Sequence, residues 1–294
     1  MQARATPHGQ FRLGLAVWGF DKWIGGFLPA GVRKVDMLRR FAERVHTVES
    51  NDTFYGVAGA EALQRRAAQT PEGFQFCPKI PRTVSHEGGL SEGIVDALGF
   101  FDHMSSHLGD RLGPVFLQLP PSCGPRQGPD LARLLNAWRR HTPHRLMVEV
   151  RHRDWFRPDN QHRLDRLLAR LGMGRVTLDT RPIYAGPDDP QADNPRKKPQ
   201  VPLHAAMINN TAMVRFISHP DAERNTPWLT EWAERVHRWL DAGQDVYFFV
   251  HCPREEFSPD NARKFQHMLE QRAAPVSPLP WDHLPAEPEQ RRLF

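Results

Sequence analysis

Short apolar runs rich in Val, Ile, Phe and Leu alternate along the chain with longer stretches whose apolar residues recur every three to four positions. The runs are FRLGLAVWG (11–19), HTVESND (46–52), FQFCPKI (74–80), PVFLQLP (114–120), RLMVEVR (145–151), GRVTLDT (174–180), AMVRFIS (212–218) and DVYFFVH (245–251). Runs of this length predict β-strands, and the periodic stretches between them predict helices near 32–44, 58–69, 91–108, 129–140, 160–171, 226–242 and 258–271. Ser91 ahead of Ile94, and Ser258-Pro259-Asp260 ahead of the last stretch, are helix-start signals. Only the sixth run lacks a clear partner helix. Residues 182–211 after it are interrupted by Pro182, Pro187, Pro190, Pro195, Pro199 and Pro202, a loop composition with room for at most a short helix near 203–209.

Eight strand–helix units in this length predict an α/β fold, a (β/α)8 TIM barrel whose strands are apolar because both faces are buried. A doubly wound open sheet is the runner-up, but it calls for a phosphate-binding glycine turn after the first strand, and WGFDKWIGGF lacks GxGxxG spacing. The barrel is expected to occupy residues 1–272. From Ala273 onward, PVSPLPWDHLPAEPEQRRLF breaks the periodicity with prolines and predicts a flexible tail over 273–294.

Composition narrows the class. In 294 residues, 39% hydrophobic and 25% charged, there is apolar content for a sizeable core. No run approaches the ~18 apolar residues of a membrane span. The opening MQARATPHGQFRLG carries no apolar segment of a secretory signal, so a cytoplasmic protein with no membrane partner is expected. Cys77, Cys123 and Cys252 are too far apart for a disulfide framework or a zinc ribbon. A net charge of +5 leans toward anionic partners, without a basic run that would single out nucleic acid.

Candidate chemistry comes from how the strands end, because a barrel builds its site at the C-terminal ends of its strands. Trp18 follows the first; Glu49 and Asn51, two apart and so on one face, close the second; Lys79 ends the third and Gln118 the fourth. Glu149 and Arg151 end the fifth with His152 beyond, Asp179 ends the sixth, Arg215 lies within the seventh with His219 after it, and His251 ends the eighth. Any one such residue is ordinarily a solvated or ion-paired group. A whole ring of them is harder to dismiss, since charges in buried strands are costly unless paired or bound to something.

Lys79, Arg151 and Arg215 suit a phosphate or carboxylate. Glu49, Glu149 and Asp179 are candidate general acids and bases, and His152 and His251 candidate proton shuttles. No cofactor is expected; a metal held by Glu49, Glu149, Asp179 and a histidine is an alternative that three cations in the same mouth oppose. Trp18, Trp23, Phe54, Tyr55, Trp155 and Phe156 gather at the same loop starts, as lids over the core or as stacking surfaces for a flat anionic ligand.

Together the segments VESNDTFYG, FQFCPKIPRTVSHEGGL, LGPVFLQLPPS, VEVRHRDWF and VYFFVHCP, the last followed by Asp260-Asn261-Ala262, resemble the YecE-like family of bacterial and archaeal proteins of unknown function. The resemblance runs in order from about 13 to 270. It implies a TIM barrel and a site built from Glu49, Asn51, Lys79, His86, Gln118, Glu149, Arg151, His152, Trp155 and Arg215, and it implies no established activity. The first strand departs from the family's usual GxxGW, and His251-Cys252 stand where the family usually has Asn-Asn.

The last five residues, QRRLF, resemble the pentapeptide through which bacterial replication and repair proteins bind the sliding clamp: Leu293 and Phe294 would fill an apolar pocket while Gln290 hydrogen-bonds beside it. The alternative is that Leu293 and Phe294 fold back on the barrel. The combined expectation is an enzyme, a hydrolase or lyase, acting by acid/base chemistry on a phosphate-bearing small molecule or nucleic acid, with a DNA repair setting if the tail binds a clamp. The alternatives are a non-catalytic barrel binding nucleic acid or protein, and a metal-dependent endonuclease or isomerase.

Overall fold

The computed structural model describes residues 8–194 and 197–284. Its strands are β1 Phe11–Leu15, β2 Thr47–Ser50, β3 Gln75–Pro78, β4 Val115–Gln118, β5 Leu146–Glu149, β6 Gly174–Asp179, β7 Thr211–Ile217 and β8 Asp245–His251. All pair in parallel, in the order β3-β2-β1-β8-β7-β6-β5-β4. Isolated bridges between Phe76 and Leu112 and between Lys79 and Phe116 link the two ends of that order, so the sheet nearly closes. Sequential neighbours around a nearly closed ring are a (β/α)8 barrel, which removes the open-sheet alternative.

The helices are α1 Met37–Ala42, α2 Ala60–Ala68, α3 Arg82–Ser85, α4 Ile94–Leu108, α5 Gly128–His141, α6 Pro158–Leu171, α7 Arg181–Tyr184, α8 Thr226–Asp241 and α9 Ser258–Gln271. The long ones form where apolar residues recur at helical spacing. In α5, Leu131, Leu134, Leu135 and Trp138 make one buried stripe, and in α8 Leu229, Trp232, Ala233, Val236 and Leu240 make another. Proline in the first turn starts α5, α6, α8 and α9 at no cost in hydrogen bonds, and Gly172 in the left-handed region ends α6.

Three details depart from the sequence pattern. Ser91 caps no helix; α4 starts behind Gly93, and the Ser91 amide and hydroxyl both donate to Asp130 in α5. Between β6 and β7 the only described helix is the short α7, and 203–209 runs without regular structure. Residues 273–284, assigned by composition to a tail, lie against the barrel: Leu279 is buried, Trp281 meets Phe27 at 4.9 Å between ring centroids, and Arg263 pairs with Asp282 at 2.6 Å. A few apolar anchors suffice to dock a proline-rich segment that has no periodicity for a pattern to reveal.

Strand alternation divides the core in two. One parity faces the helices and joins the large outer core. The other fills the barrel with Cys77, Phe116, Met147, Val176, Met213, Tyr247 and Phe249. Gly174 belongs to that inner set, where a Cβ would sit 2.3 Å from the Met147 methyl. Above this packed floor, toward the strand C-termini, the inward positions turn polar.

Candidate functional site

Inward parity selects the site. Gln118 lies in register with Glu149, Ile217 with His251, and Glu49 with Cys77, so Glu49, Gln118, Glu149 and His251 all point into the barrel. Arg215 stands beside Phe249 in the same layer and reaches up from the middle of β7. Its guanidinium binds Glu49 with two parallel bonds, Nε to Oε2 at 2.8 Å and Nη2 to Oε1 at 2.7 Å, and gives Nη1 to Glu149 Oε2 at 2.5 Å. Only the planar fork of arginine can clamp two carboxylates from one position. Asn51 Nδ2 donates to Glu49 Oε1 at 2.6 Å and His251 Nε2 meets Glu49 Oε2 at 3.0 Å.

Gln118 is the second hub. Its Oε1 accepts from Lys79 Nζ at 2.9 Å, from Arg151 Nη2 at 2.7 Å and, at 3.5 Å, from Arg215 Nη1. Arg151 also donates Nε to Glu149 Oε1 at 2.6 Å, and the Lys79 ammonium lies 3.7 Å above the Phe54 ring. Arg151 keeps 15% of its side chain exposed against 2% for Arg215, so Arg151 is the cation a ligand can reach.

The charges set one another's protonation. Burial alone would raise both carboxylic acids, but Arg215 and His251 hold Glu49 well below the ordinary range, and Arg151, Arg215 and Lys79 bring Glu149 down to about 2. Burial works against the Arg215 charge, yet Glu149 and Glu49 outweigh it and raise its pKa further. Burial lowers His251 to about 4 despite Glu49, so at neutral pH it is an uncharged ring whose Nε2–H donates to Glu49. Burial, followed by the Arg215 charge, brings Lys79 down to about 7.

Residues 12–286 match the family described as "Protein of unknown function DUF72". The chain belongs to the DUF72 family. The UPF0759 protein YecE of Escherichia coli K12 is 31% identical over 96% of this chain and 99% of its own length, and that of E. coli O157:H7 is 30% identical over the same shares. A DUF72 protein structure from Enterococcus faecalis V583 superposes with a TM-score of 0.68 at 17% identity, covering 89% of this chain and 96% of that one. One from Thermotoga maritima gives 0.67 at 20%, covering 89% and 99%. These neighbours share the barrel.

Within this DUF72 barrel the residues expected at the rim fall into two groups. Glu49, Asn51, Lys79, Gln118, Glu149, Arg151, Arg215 and His251 form one hydrogen-bonded network. The rest lie elsewhere. Asp179 has the wrong parity: Leu178 is in register with Arg215, while Asp179 faces the helix layer, held by Arg181 and the Trp232 indole N–H at 2.8 Å. Trp155 is buried with its Nε1–H on the Cys123 carbonyl at 2.9 Å, and Trp18 leans onto Phe76 and the Arg66 guanidinium. His152 Nδ1 accepts the Asp154 amide and caps the turn at 153–156. His86 bonds Ser85 and sets its ring edge-on to Phe54, and His219 donates to Asp188. Gln290, Leu293 and Phe294 lie outside the described residues.

Two groups near the mouth escaped the pattern. Lys198, carried in on the irregular segment after α7, feels the charges of Arg215, Glu49, Arg151 and Glu255; burial and Arg215 lower it to about 8. Glu255, after β8, accepts from Ser258 Oγ at 2.6 Å, and burial raises it to about 7. In sequence, KK in a proline-rich loop and EE before a helix look like surface charges, and only the folded chain brings Lys198 and Glu255 within reach of each other's charge and of Glu49. Among the described residues no three His, Cys, Asp or Glu side chains are grouped to hold a metal ion, and no helix is long and apolar enough to cross a membrane.

Proposed function

We propose that the barrel mouth binds a phosphate-bearing substrate and acts on it by acid/base chemistry, as a hydrolase or lyase. One observation carries the reading: Lys79, Arg151 and Arg215 converge on a single neutral oxygen, Gln118 Oε1, an arrangement richer in cationic donors than its two carboxylates consume. A phosphate would take donors from the reachable Arg151 and from Lys79, with Arg215 fixed behind them.

Within this reading Glu49 and Glu149 orient Arg215 instead of exchanging protons. Each of their oxygens is already bonded, and a carboxylate held far below neutral is a poor base and is never protonated to act as an acid. Proton transfer falls to Glu255 and Lys198, which feel each other's charge and titrate near neutrality.

The test pairs binding with turnover. Arg151→Met should weaken inorganic phosphate binding roughly 10- to 100-fold, the worth of one charge-assisted bond. Glu255→Gln should keep phosphate binding and lose turnover across a panel of phosphate esters. Phosphate affinity unchanged in Arg151→Met would end the reading. A second reading, a non-catalytic anion-binding barrel, is favoured by the complete internal bonding of Glu49 and Glu149; it expects the same binding loss and no turnover in any variant. Recruitment to DNA rests on the QRRLF pentapeptide alone: deleting residues 290–294 should abolish sliding-clamp binding, and unchanged affinity ends that idea.

A further inference from the structure

Beside the mouth, the loops after β2 and β3 and the outer face of α4 enclose a groove of about 720 Å³. Its walls include Phe54, Tyr55, Val57, Val95, Phe100 and His103. Tyr55 is 70% exposed, Val57 42% and Val95 78%, so three of the largest exposed apolar side chains among the described residues gather on this one concavity. Apolar side chains left open together in a groove of ligand size mark a binding surface.

The groove and the mouth share a wall. The Phe54 ring lines the groove and also lies 3.7 Å beneath the Lys79 ammonium, which belongs to the Gln118 hub. The walls are braced: Tyr55 meets Phe54 edge-on at 5.1 Å, His86 does so at 5.0 Å, and His103 Nε2 on α4 bonds the Ala58 carbonyl at 2.8 Å, tying helix to loop. An exposed phenol ring beside aliphatic side chains suits stacking of a flat heterocycle, and Thr83 and Asp96 in the same lining supply acceptors for its N–H edge.

Building on the phosphate-binding reading of the mouth, we propose that this groove is the base subsite of a nucleotide site, with the nucleobase against Tyr55, Val57 and Val95 and the phosphate toward Lys79 and Arg151. The substrate class then narrows from phosphate esters at large to nucleotides or the unpaired end of a nucleic acid, because the groove rewards a flat aromatic body that a sugar phosphate lacks.

Calorimetric titration of the full chain with the four ribonucleoside 5′-monophosphates, ribose 5-phosphate and adenosine separates the two claims. At least one nucleotide should bind about ten-fold more tightly than ribose 5-phosphate, the worth of one stacked base. Tyr55→Ala and Val95→Lys, both at exposed positions that leave the core untouched, should erase that advantage and leave ribose 5-phosphate affinity unchanged. If no nucleotide exceeds ribose 5-phosphate, or the advantage survives both substitutions, the groove is not a base subsite, whatever the mouth binds. Tyr55-dependent adenosine binding with no binding of ribose 5-phosphate would keep the groove and overturn the phosphate reading. No binding by any of these ligands would overturn both.

Discussion

Two carboxylate–arginine clusters lie on opposite sides of the same barrel wall. Inside, Arg215 joins Glu49 and Glu149, all of them essentially sealed from solvent, under a mouth where Arg151 remains reachable. Outside, Asp179 receives Arg181 and the Trp232 indole, with Arg181 also bonded to Glu231 on α8 and its side chain 27% exposed. Their residue types are similar, but the outer cluster is closed: two carboxylates, one arginine and one indole match each other and tie β6 to α7 and α8. The inner cluster has donors left over. Parity on a strand, a matter of one residue, decides whether a charged group braces the helix layer or faces into the barrel mouth.

Substitutions can break the contrast. The largest effect is expected from Arg215→Met, which leaves two buried carboxylates without their cation and should cost about 3–5 kcal/mol in urea unfolding at pH 7. Glu49 and Glu149 have depressed folded pKa values, so the stability they contribute is present above the ordinary carboxylate range and is lost as pH falls through their folded values, near 2 for Glu149. The gap between wild type and Arg215→Met should therefore narrow as pH falls below about 4, and a gap that stays constant would mean the pairing is not its source.

Asp179→Asn should cost less, about 1–2 kcal/mol, because Arg181 is partly exposed and keeps its bond to Glu231. A loss as large as that of Arg215→Met would erase the distinction between the clusters. The effect that depends most on pH belongs to Lys79→Met. A lysine whose folded pKa sits near 7, below its ordinary value, penalises the fold most below pH 7, and the penalty fades as pH rises toward 10. Relative to wild type, Lys79→Met should thus gain stability at pH 6 and lose that gain by pH 10, which thermal melts at the two pH values would register.

The same contrast explains how far the sequence could be read. Strand and helix positions followed from periodicity because burial imposes it, and the inner network was legible wherever two polar residues sat two apart on one strand, as with Glu49 and Asn51 or Glu149 and Arg151. Asp179 ended a strand just as Glu149 did, and nothing in GRVTLDT tells which parity faces inward when Arg175, Thr177 and Asp179 alternate with Val176 and Leu178. Lys198 and Glu255 were illegible for another reason: loops carry no period, so a side chain delivered by one is known only once the loop is folded. Trp155 and Trp18 fit both a lid and a stacking surface in sequence because an aromatic after a strand can turn either way, and here Trp155 packs under its loop with its N–H on Cys123.

The central claim is that the inner cluster is a ligand site and the outer one a brace. Titrating ribose 5-phosphate into wild type, Arg151→Met and Asp179→Asn addresses it directly. The account predicts binding by wild type, affinity within about two-fold in Asp179→Asn, and a roughly 10- to 100-fold loss in Arg151→Met. Equal affinity in wild type and Arg151→Met, or a loss confined to Asp179→Asn, would contradict it.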